Sequence, residues 1–303
     1  MHPDEPAANS GELYVEFGPG QQLYTRWVGA DRDRTPLLCL HGGPGAVSHE
    51  GLEPLEGIAA DGRQVIFFDQ LGCGRSSRPD DPSLWRNDLV CDQIDAIRAA
   101  YGLASVAVLG HSYGGWVTQE YALRQPTGLR GIVLADTAPD AEMYLAEGRR
   151  IRDSLPAQTR AVLDRHERAG TTDSPEYADA YRQFLEEFTC TIRPLPASIE
   201  RARAGGNPEI ARIMWGPGGR SFEMNGRLRG WSVVDRLPEI GIPVLVITGS
   251  EDMASPAIAR FMATAIPDAR CVIIDGGSHT PFYEDPETFC SSVRTFLTGI
   301  DAP

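Results

Sequence analysis

Gly110-His111-Ser112-Tyr113-Gly114 stands directly after the apolar stretch Ser105–Leu109 and directly before a helical pattern that begins near Gly115. A serine flanked by glycines at a strand-to-helix turn is the pattern of a nucleophile elbow. The turn is strained, larger side chains would obstruct it, and the glycines leave the serine Oγ exposed above the sheet. Working outward, short apolar runs at Leu37–Leu40, Gln64–Phe68 and Gly131–Ala135 accompany the central one. The last three of these four runs are separated by stretches with helical spacing, Leu89–Tyr101 and Trp116–Arg124. Continuous apolar strands alternating with helices predict a parallel α/β sheet covered on both faces. For the first helix, Asn87-Asp88 offers an N-cap and Gly102 a C-cap. Between Leu13 and Val28, two alternating segments flank Gly18-Pro19-Gly20, which predicts an antiparallel start.

After Ala135 the strand pattern stops and polar helical stretches follow at Ala141–Ser154, Ala157–Ala169, Pro175–Glu187 and Pro208–Met214. Strands resume at Pro243–Gly249 and Arg270–Ile274 around a helix at Pro256–Ala265, and Pro286–Leu297 predicts a closing helix. The expected organisation is an all-helical cap over residues 138–232, inserted into an α/β core made of residues 1–137 and 233–303.

The 303 residues carry 28 Lys+Arg against 42 Asp+Glu, a formal charge of −14. That field repels phosphate backbones and anionic lipid, so neither nucleic acid nor a membrane is an expected partner. No lysine occurs, which excludes Schiff-base chemistry, a pyridoxal phosphate site and a P-loop. The six cysteines are scattered without a C-x-x-C pair and are expected to be reduced. Met1 to Ser10 lacks the basic start and apolar stretch of a secretory signal, and no apolar run approaches the roughly 20 residues of a membrane span. A cytoplasmic location is the expectation.

A serine hydroxyl needs a base, and in this kind of fold the chain order is Ser, acid, His. Downstream of Ser112 only His166 and His279 qualify. His166 lies in the charged helical stretch Asp164-Arg165-His166-Glu167-Arg168, the setting of a solvated face. His279 follows the final strand in Gly276-Gly277-Ser278-His279-Thr280-Pro281, a loop at the carboxyl end of the sheet where ligands collect. The acid belongs on the loop Gly249-Ser250-Glu251-Asp252-Met253, with Asp252 preferred over Glu251 because a short carboxylate is more easily fixed by the turn's own backbone. Either acid has a competing role as N-cap of the helix at Pro256. An oxyanion requires two backbone N–H donors, one from Tyr113 and one from the loop His41-Gly42-Gly43-Pro44-Gly45, in which His41 itself is expected to be structural. In the cap, Trp215, Trp231, Phe184, Phe188 and Tyr181 are candidates for an apolar pocket, although aromatics at helical spacing more often build a core.

The motifs His41-Gly42-Gly43-Pro44-Gly45, Asp69-Gln70-Leu71-Gly72-Cys73-Gly74-Arg75-Ser76 and Gly110-His111-Ser112-Tyr113-Gly114-Gly115 together resemble the proline iminopeptidase family of α/β-hydrolases. The resemblance continues through Met214-Trp215-Gly216-Pro217 and Gly226 to Trp231 into the C-terminal helix and covers nearly the whole chain. It implies the α/β-hydrolase fold and Ser112, Asp252 and His279 as catalytic triad. It also implies an oxyanion hole from Gly43 and Tyr113, and no metal or organic cofactor. Family aminopeptidases hold the substrate's α-ammonium with two carboxylates, one in the cap-to-core segment and one after the triad aspartate. Here those positions carry Ser221 and Met253, with Glu223 two residues beyond Ser221 and Glu142 in the cap as replacement candidates. Leu71 stands where the family usually has Arg. The expected function is hydrolysis of an amide bond in a small molecule or short peptide, as an aminopeptidase or amidase. The alternatives are an esterase, lactonase or acyltransferase working on an uncharged acyl group, and a non-catalytic binding protein.

Overall fold

The computed structural model describes residues 9–216 and 222–301. Its strands are β1 (Ser10–Glu16), β2 (Gln22–Val28), β3 (Leu37–Leu40), β4 (Val65–Phe68), β5 (Val106–His111), β6 (Leu129–Ala135), β7 (Val244–Gly249) and β8 (Ala269–Ile274). They form one sheet in the order β1-β2-β4-β3-β5-β6-β7-β8. β2 pairs antiparallel with β1 and β4, the antiparallel start expected from Gly18-Pro19-Gly20. Every other pairing is parallel. β3, β4, β5 and β7 are buried along their whole length, which is why they read as unbroken apolar runs.

Alternate residues of these strands enter two separate cores. Leu38, Leu40, Ile66, Phe68, Val106 and Val108 point to one face, and Leu37, Cys39, Val65, Phe67, Ala107 and Leu109 to the other. The helices are α1 (Asn87–Tyr101), α2 (Tyr113–Leu123), α3 (Ala141–Arg152), α4 (Ala157–Ala169), α5 (Pro175–Phe188), α6 (Ala197–Ala204), α7 (Pro208–Met214), α8 (Pro256–Ala265), α9 (Pro281–Glu284) and α10 (Pro286–Ile300). α1, α2 and α8 cover the first face, while α10 and a 3₁₀ segment at His49–Asp61 cover the second. α3 to α7 occupy the long connection between β6 and β7, where Leu163, Tyr177, Tyr181 and Phe184 build a small core of their own.

One local expectation changes, and two elements stand where the sequence pattern predicts none. α1 starts at Asn87, so Asn87 is a helical residue and not the cap; Arg86 occupies the N-cap position without a side-chain bond. The Asn87 amide is instead committed to tertiary contacts, donating to Glu120 at 2.7 Å and accepting from the Tyr113 hydroxyl at 2.8 Å. The 3₁₀ segment was not anticipated, yet Leu52, Leu55 and Ile58 repeat at the three-residue period such a helix needs to bury one edge. α6 also lacks a warning in the sequence, because Ala197-Ser198-Ile199-Glu200-Arg201-Ala202-Arg203-Ala204 has too few large apolar residues to make a stripe.

The turn from β5 to α2 is held by backbone proximity. Ser112 takes φ 56° and ψ −122°, a conformation rare for a residue with a Cβ. A Cβ on Gly110 would lie 2.3 Å from the Gly114 carbonyl oxygen, and one on Gly114 would lie 2.6 Å from that of Leu40. Neither neighbour is a flexible side chain, so both glycines are required by space. Gly110→Ala and Gly114→Ala are therefore expected to lower stability by about 2 kcal/mol or more in chemical denaturation. Gly299→Ala, which meets no atom within 4 Å in α10, is expected to be neutral or slightly stabilising. Equal midpoints for the three variants would contradict this account of the turn.

Candidate active site

All parallel strands point their carboxyl ends to one edge, and the loops after β3, β5, β7 and β8 meet there. The elbow lifts Ser112 Oγ to 2.9 Å from His279 Nε2, and His279 Nδ1 lies 2.6 Å from Asp252 Oδ1. A carboxylate only accepts, so Nδ1 carries the imidazole proton and Nε2 is left to accept from the serine hydroxyl. Asp252 is fixed by the backbone of its own turn, since Ala254 N–H donates to Oδ1 at 2.9 Å, and by Thr248, whose hydroxyl donates to Oδ2 at 2.7 Å. Burial opposes ionisation of this carboxyl; the His279 imidazole and the two donors outweigh it and hold the group below the usual carboxylate range. An imidazole set between a carboxylate and a hydroxyl can take the hydroxyl proton and return it to a leaving group.

The competing candidates are elsewhere. Glu251 is exposed, and His166 is engaged by Thr171, Ser174 and Glu176 at the junction of α4 and α5. Neither acid of the β7 loop caps α8, a task taken by Ser255, whose hydroxyl accepts from Ile258 N–H. Gly43 has φ 138°, a region open to glycine. Its N–H and that of Tyr113, the first residue of α2, have no acceptor among the described residues. His41 is structural as expected: its Nε2 accepts from Gln70 N–H at 3.1 Å, and burial lowers its pKa.

Two residues escaped sequence reasoning. His111 donates from Nε2 to the His279 carbonyl oxygen at 2.8 Å, tying the loop after β8 to the elbow. Burial, then the neighbouring His279, push its pKa down to about 3, so it is neutral. Asp136, at the end of β6, is fully buried and accepts from Gly249 N–H at 3.2 Å. Burial, and then the charge of Asp252, raise its carboxyl well above the usual range. The two buried carboxyls are thus shifted in opposite directions, Asp252 down and Asp136 up. A positive φ of 52° at an aspartate directly after a strand is a structural oddity that no sequence pattern announces.

A cavity of about 140 Å³ opens over Ser112. Tyr144, Tyr181, Leu185, Ile199, Trp215 and Met253 give it an apolar wall, so Trp215 and Tyr181 face the cavity while Phe184 is core and Trp231 stacks on Trp116 at 4.4 Å. No aspartate or glutamate lines it among the described residues. Glu223 is exposed and lies 3.4 Å from Asn225 Nδ2, and Glu142 pairs with Arg149 outside the cavity. Ser221 lies outside the described residues. The motif Asp69 to Ser76 folds around its own aspartate, which accepts from His49 N–H and from Arg75 N–H. Leu71 is buried in the core there. No helix of the described residues is long and apolar enough to cross a membrane.

Comparison with known proteins gives this geometry a family. The model for the alpha/beta hydrolase fold matches residues 35–286. The proline iminopeptidase of Lactobacillus delbrueckii subsp. lactis is 36% identical over 296 residues, 96% of this chain and 99% of that protein. The proline iminopeptidase of Heyndrickxia coagulans is 34% identical over 88% of this chain and 91% of its own length. Among solved structures, the proline iminopeptidase of Mycobacterium smegmatis superposes with a TM-score of 0.85 at 35% identity, covering 96% of this chain and 99% of that one. VinJ superposes with a TM-score of 0.89 at 32% identity and the same coverage. With its eight-stranded sheet and these full-length relatives, the chain belongs to the proline iminopeptidase-like members of the α/β-hydrolase family and is a serine hydrolase.

Proposed function

We propose that the protein hydrolyses an amide bond in a small substrate through a covalent acyl-enzyme, with Ser112 as nucleophile, His279 as base and acid, and Asp252 orienting the imidazole. The observation that carries this reading is the hydrogen-bonded chain from Ser112 through His279 to Asp252, at 2.9 Å and 2.6 Å, at the floor of an apolar cavity. Ser112 Oγ attacks the carbonyl carbon while its proton passes to His279 Nε2. The Gly43 and Tyr113 N–H groups receive the oxyanion. Collapse breaks the C–N bond, and His279 gives the proton to the departing amine. Water then repeats the sequence on the acyl ester and frees the serine.

The helices between β6 and β7 act as the cap, supplying the wall of Tyr144, Tyr181 and Trp215 that excludes water. The absence of a lining carboxylate among the described residues bears on the acyl group. A buried ammonium without a counter-charge is costly, and Met253 offers the cavity only an apolar surface. That supports an amidase tolerant of an uncharged acyl group over a peptidase demanding a free amine.

A fluorophosphonate is expected to label the wild-type protein and not Ser112→Ala, and Asp252→Asn should lower kcat about ten-thousandfold while preserving the fold. A folded wild-type protein that resists labelling would point to a binding protein. On matched anilides, N-acetylprolyl anilide is expected to turn over at least as fast as the free-amine prolyl anilide. Turnover of the free-amine substrate alone would restore the strict aminopeptidase reading, and added hydroxylamine would reveal any transferase through hydroxamate product.

A further inference from the structure

The cavity over Ser112 joins a wider cleft of about 790 Å³, and the two share Ala46, Tyr181, Leu185 and Arg203. Arg203 stands in the last turn of α6. That helix is fastened to the core by Ser48 N–H, which donates to the Ala202 carbonyl at 3.0 Å, and by the Ser198 and Tyr283 hydroxyls at 2.8 Å. Among the described residues Arg203 is the one Arg, Asp or Glu that lines the Ser112 cavity.

Its neighbours are neutralised and it is not. Arg201 pairs with Glu50 and Glu53, Arg212 with Glu209, and Arg182 with Asp179 and Glu186. The Arg203 guanidinium has no carboxylate or carbonyl partner among the described residues, in a chain whose formal charge is −14. Asp173 lies on the wider cleft but not on the Ser112 cavity. Arg203 is exposed and lines both the apolar cavity and the cleft, and no aspartate or glutamate among the described residues lines the cavity with it. A planar guanidinium there suits an oxyanion accepting two parallel N–H bonds, and the oxyanion that peptides and acyl amino acids carry is a carboxylate.

We propose that the substrate carries a carboxylate received by Arg203 at the junction of cavity and cleft, making Arg203 the specificity-determining residue for the amide hydrolysis assigned to Ser112, a reading on which this inference rests. The carboxylate comes either from the leaving amino acid, as in an N-acyl amino acid or a short peptide with a free C-terminus, or from the acyl chain.

Two substrate pairs separate these sources. N-acetylprolyl-alanine is compared with N-acetylprolyl-alaninamide for the leaving side, and succinyl anilide with its methyl ester for the acyl side. In wild type, one free acid is expected to exceed its neutral partner about tenfold in kcat/KM, mainly through KM, as a charge-assisted bidentate contact allows. Arg203→Gln should bring that ratio to within about twofold of unity, and Arg203→Glu should invert it. Because each ratio is measured within one variant, partial loss of folded protein cancels. Cleavage of both partners at equal rates in wild type, or a preference that survives Arg203→Gln, overturns the assignment of Arg203 while leaving the hydrolase reading intact. If no pair is cleaved and Ser112 resists the phosphonate, the hydrolase reading itself fails. Calorimetric titration of Ser112→Ala with the same acids and amides then still decides whether Arg203 selects a carboxylate.

Discussion

The close approach of backbone at the turn bearing Ser112 is the constraint from which the rest follows. Gly114 packs against the Leu40 and His41 carbonyls, so the elbow and the end of β3 are pressed together. That contact brings the loop after β3 against the elbow, with Gly42 beside Ser112, where the proposed oxyanion donors Gly43 and Tyr113 belong. The same turn sends His111 to the His279 carbonyl, fastening the loop after β8 to the elbow. The hydrogen bonds that position the imidazole are thus anchored in a strained turn, and the strain is sustained by a sheet whose central strands are wholly buried.

How far the sequence speaks depends on whether a feature is periodic. β3, β4, β5 and β7 are visible because both faces are covered and nearly every residue is apolar, and α1 ends at Gly102 in a left-handed conformation as its glycine implied. Asp252 was separable from Glu251 by chemistry alone: the shorter carboxylate reaches the Ala254 N–H of its own turn at 2.9 Å. What could not be read depends on distant chain segments meeting. Tyr144, Arg203 and Leu52 reach one cavity from three different elements, and Asp136 meets Asp252 across two strands. α6 has no stripe to advertise it, because the core holds it by a backbone bond and a hydroxyl instead of by a broad apolar face. Glu223, two residues from the position of a family carboxylate, shows the limit of register arguments, for it lies on the surface.

Burial sets the direction in which most titratable groups of the buried site shift. Burial pushes the pKa values of His41 and His111 down, and burial together with the neighbouring Asp252 pushes the Asp136 carboxyl well above the usual range. Asp252 is shifted the other way, below the usual carboxylate range, with Oδ1 shared by the imidazole and Ala254 N–H and Oδ2 held by the Thr248 hydroxyl. In the proposed mechanism, an oriented carboxylate in a medium of low polarity would stabilise the imidazolium formed when Ser112 gives up its proton. Among the described residues the cavity above is lined by no aspartate or glutamate. A second carboxylate in its wall would hold the imidazolium back from donating its proton to the leaving group, as well as gripping an amine. With Met253 in that wall, the proposed mechanism gives up a hold on a cationic substrate and leaves the proton transfer to His279 and one acid.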